Sequence, residues 1–159
     1  LTDATLVGHS YGGRVITAAA PHVADRLQAM VYLDAHAPTA PDAGQPAERI
    51  ALAEAHGGLL PFVGYDHDVD LLPDDESRRW FLERTVAHPF QTFVTDWQHP
   101  VPDGVRPTYV FATESPGTRF GGYAAGAQAH PDWRYVELPG PHFLMFSHPD
   151  DVTEIILSA

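Results

Sequence analysis

The residues that could do chemistry begin almost at the first position. Gly8-His9-Ser10-Tyr11-Gly12-Gly13 sets a serine in a G-x-S-x-G frame. The apolar run Ala4-Thr5-Leu6-Val7 precedes it, and the Ala-rich stretch Arg14 to Ala20 follows. A serine on a sharp turn between a buried strand and a helix has its hydroxyl lifted above the sheet. The next amide, that of Tyr11, then stands at a helix N-terminus, where it can face a developing oxyanion. The spacing predicts that glycine is needed at 8 and 12, because side chains two residues either side of Ser10 would clash.

A serine hydroxyl is a poor nucleophile until a base takes its proton. Of the ten histidines, His142 has the best setting. It lies in Leu138-Pro139-Gly140-Pro141-His142-Phe143, after a strand and before the last helix, at the sheet edge where the serine turn must also lie. His148 abuts Pro149 and reads as a capping or surface residue. His9 flanks the serine and packs beside the sheet; with Phe143 it is a candidate wall for a substrate. The base needs a carboxylate to fix its tautomer and stabilise its charged form. Asp34 ends the run Tyr32-Leu33-Asp34 directly, and Glu114 lies two residues past Ala112. Both satisfy the chain order serine, acid, histidine. Asp34 is preferred and Glu114 is the alternative.

These residues need a scaffold that brings distant loops to one edge. Ala29 to Leu33, Thr108 to Ala112 and Trp133 to Leu138 read as further strands, and Phe120 to Ala129 and Pro149 to Ser158 as helices. Alternating strands and helices imply a mostly parallel sheet. Pro149, Asp150 and Asp151 suit the first turn of the final helix. The stretch 39–104 differs: Pro and Gly punctuate short helical patterns at Ala47 to His56 and Asp75 to Thr85, with Asp74 a candidate N-cap. The expected organisation is a core over 1–38, a helical insert without a sheet layer over 39–104, and a core over 105–159.

A formal net charge of −12 disfavours nucleic acid and anionic membranes as partners. The absence of cysteine excludes disulfides and thiolate chemistry. Asp66-His67-Asp68-Val69-Asp70 lacks the glycine turn and distal glutamate of a calcium loop, so neither a metal nor another cofactor is expected. The chain opens on Leu1 with no leader before its first strand. It therefore reads as cut from a longer protein, with a cytoplasmic location as the default expectation.

Taken together, Leu6-Val7-Gly8-His9-Ser10-Tyr11-Gly12-Gly13, Val31-Tyr32-Leu33-Asp34-Ala35 with Pro38, Pro107-Thr108-Tyr109-Val110 and Leu138-Pro139-Gly140-Pro141-His142 resemble the α/β-hydrolase superfamily. Within it the chain is similar to small bacterial carboxylesterases related to pyrethroid hydrolases, plant methyl esterases and hydroxynitrile lyases. The resemblance implies the C-terminal half of an α/β-hydrolase fold: four mostly parallel strands, flanking helices and a helical cap over 39–104. It makes Ser10 the nucleophile and His142 the base of a serine hydrolase acting on a small, largely neutral carboxylic ester or lactone. Leu59, Leu60, Phe62, Val63, Trp80, Phe81, Phe90, Phe93 and Trp97 supply apolar surface in the cap region.

Many relatives carry their acid after the third of these strands, where this chain reads Ala112-Thr113-Glu114-Ser115; members without it use the preceding strand, which favours Asp34. The family's second oxyanion donor comes from an early loop outside this sequence. The strand before Ser10 would then stand at a sheet edge, and activity would need the preceding segment, in one chain or as a second piece; that segment or further copies of the chain are the expected protein partners. Two other readings are a hydroxynitrile-type lyase and a non-catalytic ligand-binding relative. The lyases use a cap lysine, and this chain has none.

Overall fold

A computed structural model describes residues 1–42, 44–61, 69–70, 72–115 and 120–159. Two compact units emerge, one of Leu1–Pro41 with Trp97–Ala159, the other of Asp42–Asp96.

The first unit is built on a four-stranded sheet. Its strands are β1 (Ala4–His9), β2 (Leu27–Leu33), β5 (Arg106–Ala112) and β6 (Arg134–Leu138), in the order β1-β2-β5-β6. All three pairings are parallel. The register aligns the carboxyl ends: His9 pairs with Leu33, Leu33 with Val110, and Ala112 with Leu138. The loops after these strands therefore emerge at one edge. β1 forms a margin of the sheet, with Val7 38% exposed.

Both faces are covered, which explains the unbroken apolar runs of the central strands. On one face Met30, Tyr32 and Tyr109 pack with Ile16 of α1 (Gly12–Ala19) and with Tyr123, Ala124 and Ala127 of α4 (Gly121–Ala129). On the other, Val31, Leu33 and Val110 pack with Leu144 of α5 (Leu144–Ser147) and with Val152 and Ile155 of α6 (Pro149–Leu157). Alternate residues of one strand thus feed two cores. α6 carries Pro149 at its start and Asp150 and Asp151 in its first turn. His148 precedes it without a side-chain cap bond; its ring instead meets Ser147 Oγ at 2.8 Å.

Three buried contacts of polar groups stiffen the layer beneath the loops. The Tyr32 hydroxyl lies 2.9 Å from Thr17 Oγ1, which itself donates to the Gly13 carbonyl at 2.7 Å. Arg14, buried in α1, sets its guanidinium over the Trp97 ring at 5.0 Å, a cation–π contact. Trp97, counted from sequence with the insert, belongs to this unit and is buried there.

The second unit contains α2 (Ala47–Ala55) and α3 (Asp75–Arg84). Asp74 caps α3 by accepting from the Ser77 amide at 2.7 Å. The expectation that this stretch holds no sheet needs correcting. β3 (Leu59–Leu60) and β4 (His88–Pro89) form a short antiparallel ladder, Leu59 opposite Pro89 and Leu60 opposite His88. Two residues per strand leave no alternation for a sequence pattern to register. Phe62, Val63 and positions 66–68 of the acidic stretch lie outside the described residues. Among the described residues no group of three or more His, Cys, Asp or Glu is placed to hold a metal ion, and no helix is long and apolar enough to cross a membrane.

Candidate active site

Ser10 follows β1 directly and adopts φ 55°, in the left-handed region. A non-glycine residue there is held by its surroundings. Three backbone bonds do the holding: Ser10 N–H donates to the Leu33 carbonyl at 3.2 Å, and the Ser10 carbonyl accepts from Gly13 at 3.2 Å and from His36 at 3.1 Å. Two of these partners flank Asp34, so the serine turn and the acid loop form one hydrogen-bonded unit.

The glycine pattern differs from the expected one. A Cβ on Gly8 would come within 2.7 Å of the Gly12 carbonyl group, as the spacing predicts. A Cβ on Gly12 would meet nothing within 4 Å. The second indispensable glycine is Gly13, where a Cβ would collide with the His36 carbonyl oxygen. The close approach that demands glycine is therefore between the first turn of α1 and the acid loop. The clash lies across the fold and cannot be seen in the local turn.

Asp34 is fully buried and also has a positive φ, 40°, which aspartate tolerates better than most residues. Its amide donates to the Val110 carbonyl at 2.7 Å, and its Oδ1 accepts a long bond of 3.4 Å from Ala112 N–H. Its Oδ2 lies 2.7 Å from Nδ1 of His142, itself 4% exposed. A carboxylate only accepts, so Nδ1 carries a hydrogen, and Nε2 is the ring nitrogen left to exchange a proton with a substrate or nucleophile. The Tyr109 hydroxyl secures the same loop by donating to the Ala35 carbonyl at 2.8 Å. Burial first, and then the Asp34 charge, push the Tyr109 phenol well above its ordinary value, so it stays a neutral donor.

Of the two candidate acids, the structure brings Asp34 to His142. The Glu114 side chain is exposed, while its backbone N–H donates to the Gly140 carbonyl at 3.0 Å. With Thr113 N–H on the Leu138 carbonyl, also 3.0 Å, this ties the loop after β5 to the loop carrying His142.

Tyr11 occupies the N-cap position of α1. His9, part-buried, sets its Nε2 2.9 Å from the His142 carbonyl oxygen and its ring centroid 4.3 Å from that of His142. Phe143 is buried, with its ring 5.4 Å from His142 and 5.6 Å from His9. One neighbour had no signal in the sequence. Phe120, just before α4, is 2% exposed and stacks on the His142 imidazole at 5.2 Å with an interplanar angle of 9°. Only the tertiary fold brings positions 120 and 142 together.

A strand–serine–helix turn, with a buried aspartate at the end of the adjacent strand and a buried histidine in the loop after β6, is an arrangement shared by many hydrolases. The model of the alpha/beta hydrolase family matches residues 1–155. The chain belongs to the α/β-hydrolase family. Among characterised proteins, this hydrolase is 27% identical over 175 residues to the carbendazim hydrolyzing esterase of Nocardioides sp. (strain SG-4G), covering 97% of this chain and 70% of that one. Among solved structures it is similar to an extracellular alpha/beta-hydrolase from a Paenibacillus species, described as sharing structural and functional homology with tobacco salicylic acid binding protein 2. The TM-score is 0.72 at 24% identity, over 100% of this chain and 72% of that one. A pyrethroid hydrolase from Sphingobium faniae JZ-2 superposes with TM-score 0.62 at 22% identity, over 99% of this chain and 70% of that one. Both structural likenesses speak to the fold.

Proposed function

We propose that this α/β-hydrolase is a serine esterase that cleaves a small, largely neutral carboxylic ester or lactone through an acyl-enzyme on Ser10. The observation that carries the reading is the buried 2.7 Å contact between His142 Nδ1 and Asp34 Oδ2, on a loop hydrogen-bonded to the Ser10 turn. Family membership and the relative named as an esterase support hydrolysis as the class of reaction.

In this reading Ser10 Oγ attacks the ester carbonyl carbon while His142 Nε2 takes its proton. Asp34 holds the imidazole in register and stabilises the imidazolium. The Tyr11 amide, at the start of α1, donates to the oxyanion. As the tetrahedral adduct collapses, the carbon–oxygen bond to the alcohol breaks and His142 returns the proton to that alcohol. A water molecule, deprotonated by His142, then attacks the acyl carbon and releases the acid, and Ser10 recovers its proton. The net charge of −12 repels anionic substrates, which favours a neutral one. Phe143, beside His142 and His9, supplies apolar wall.

The test is hydrolysis of p-nitrophenyl acetate by the full-length protein and by its Ser10→Ala variant. The reading expects turnover that falls by about 10,000-fold or more in the variant, as when a serine nucleophile is removed from a triad. Turnover that survives the substitution would point to a different nucleophile or to a binding role for the site.

A further inference from the structure

His9 is the last residue of β1 and immediately precedes Ser10. Its Nε2 lies 2.9 Å from the carbonyl oxygen of His142, 133 positions away in the chain. A carbonyl can only accept, so Nε2 of His9 carries the hydrogen. The other contacts at His142 fix different parts of the residue. Asp34 engages ring nitrogen Nδ1, and Phe120 stacks on the ring. Two residues earlier, the Gly140 carbonyl is held by the Glu114 amide. His9 reaches from the nucleophile's own strand to the backbone of the base.

We infer that His9 is a positioning residue whose uncharged ring N–H fastens the main chain of His142 to the strand carrying Ser10, and so sets the distance and angle at which base meets nucleophile. The inference rests on the reading of Ser10 and His142 as nucleophile and base.

Charge matters as well as reach. The two imidazole rings are 4.3 Å apart. When His142 takes the serine proton it becomes a cation, and a second cation at this distance would oppose that step. His9 is kept neutral: burial, and then the nearby His142, push its pKa down to about 3, although its bond to the His142 carbonyl acts the other way. The site thus has a donor that carries no charge, where lysine or arginine would supply a donor that does.

Two variants separate donor from shape. His9→Phe keeps an aromatic ring and loses the donor, and His9→Gln restores an uncharged donor of similar reach. For p-nitrophenyl acetate, His9→Phe is expected to lower kcat about 10- to 100-fold, the scale of a small misplacement of reacting groups, with KM nearly unchanged. His9→Gln should recover most of the loss. A His9→Phe enzyme with wild-type kcat, or a glutamine variant no better than phenylalanine, would overturn the inference.

If His9→Phe does not fold, nitrogen-15 NMR of the histidine-labelled wild type decides. The expected result is a His9 ring protonated on Nε2 only and unchanged from about pH 5 to 8, across the ordinary histidine range. A ring that titrates in that window, or is protonated on Nδ1 instead, would overturn the clamp. Reaction of wild type with a fluorophosphonate keeps the two readings apart. No adduct on Ser10 defeats the nucleophile assignment, whereas an adduct that forms equally fast in His9→Phe defeats only the role of His9.

Discussion

The loops after β1, β2 and β6 and the stretch 42–96 are built on opposite principles. In the first, backbone and side-chain polar groups are cross-linked over long sequence distances: Ser10 to Leu33 and His36, Asp34 to His142, His9 to His142, Tyr109 to Ala35. Asp34 is wholly buried there and Tyr109 is buried beside it. In the second, α3 buries no residue, the buried positions among the described residues are Ala53, Leu60, Val69 and Leu72, and Leu59, Trp80, Leu82 and Val86 are exposed. Reaction chemistry needs groups held to fractions of an ångström, which buried and mutually satisfied polar networks provide. A stretch that buries little can vary in sequence at small cost. This contrast predicts where substitutions hurt.

After the loss of Ser10 itself, the largest effect should come from the acid. Asp34→Asn is expected to lower kcat for p-nitrophenyl acetate by about 10,000-fold, because the wrong imidazole tautomer is then favoured. Glu114→Gln, at an exposed side chain, should change it by less than about twofold. Comparable losses in both variants would break the assignment of Asp34.

A smaller effect should separate the two regions by stability alone. Gly13→Ala drives a methyl group into the His36 carbonyl oxygen, which is backbone and cannot easily yield. Overpacking of this kind costs about 1–3 kcal/mol, read as a lower midpoint of thermal unfolding. Leu82→Ala, at a side chain about half exposed, should cost less than about 0.5 kcal/mol. Equal losses would mean that the insert is not the permissive region described.

The smallest effect should be at the cap of α3. The carboxylate of Asp74 is held below its ordinary range, chiefly by the Ser77 amide. A depressed folded-state value means that stability is present above the unfolded value and lost as pH falls through the folded one. Asp74→Ala should therefore lower the urea midpoint slightly at neutral pH, and the gap should close as pH falls below about 3.9. A gap that persists in acid would mean that the cap bond does not depend on the charge.

How much of this was legible in the sequence follows from where each signal lives. The strands and helices of the sheet unit were readable because β2 and β5 are continuous apolar runs covered on both faces. The Ser10 turn was readable because its glycines and flanking elements are local. His142 and Asp34 were identifiable by their position at strand ends, but the choice between Asp34 and Glu114 depended on which loop reaches 108 residues along the chain to the base. Gly13, Phe120 and the His9 clamp were not legible for the same reason: each acts on a partner remote in sequence. The β3–β4 ladder is too short to leave a pattern.

The central claim is that Ser10 is the nucleophile of an acyl-transfer site. The most direct measurement is to treat the full-length protein with a fluorophosphonate and map the adduct by peptide mass spectrometry. The account predicts one adduct, on the peptide containing Ser10, absent in Ser10→Ala and formed far more slowly in Asp34→Asn. An adduct on another residue, or none on a folded protein, would contradict it.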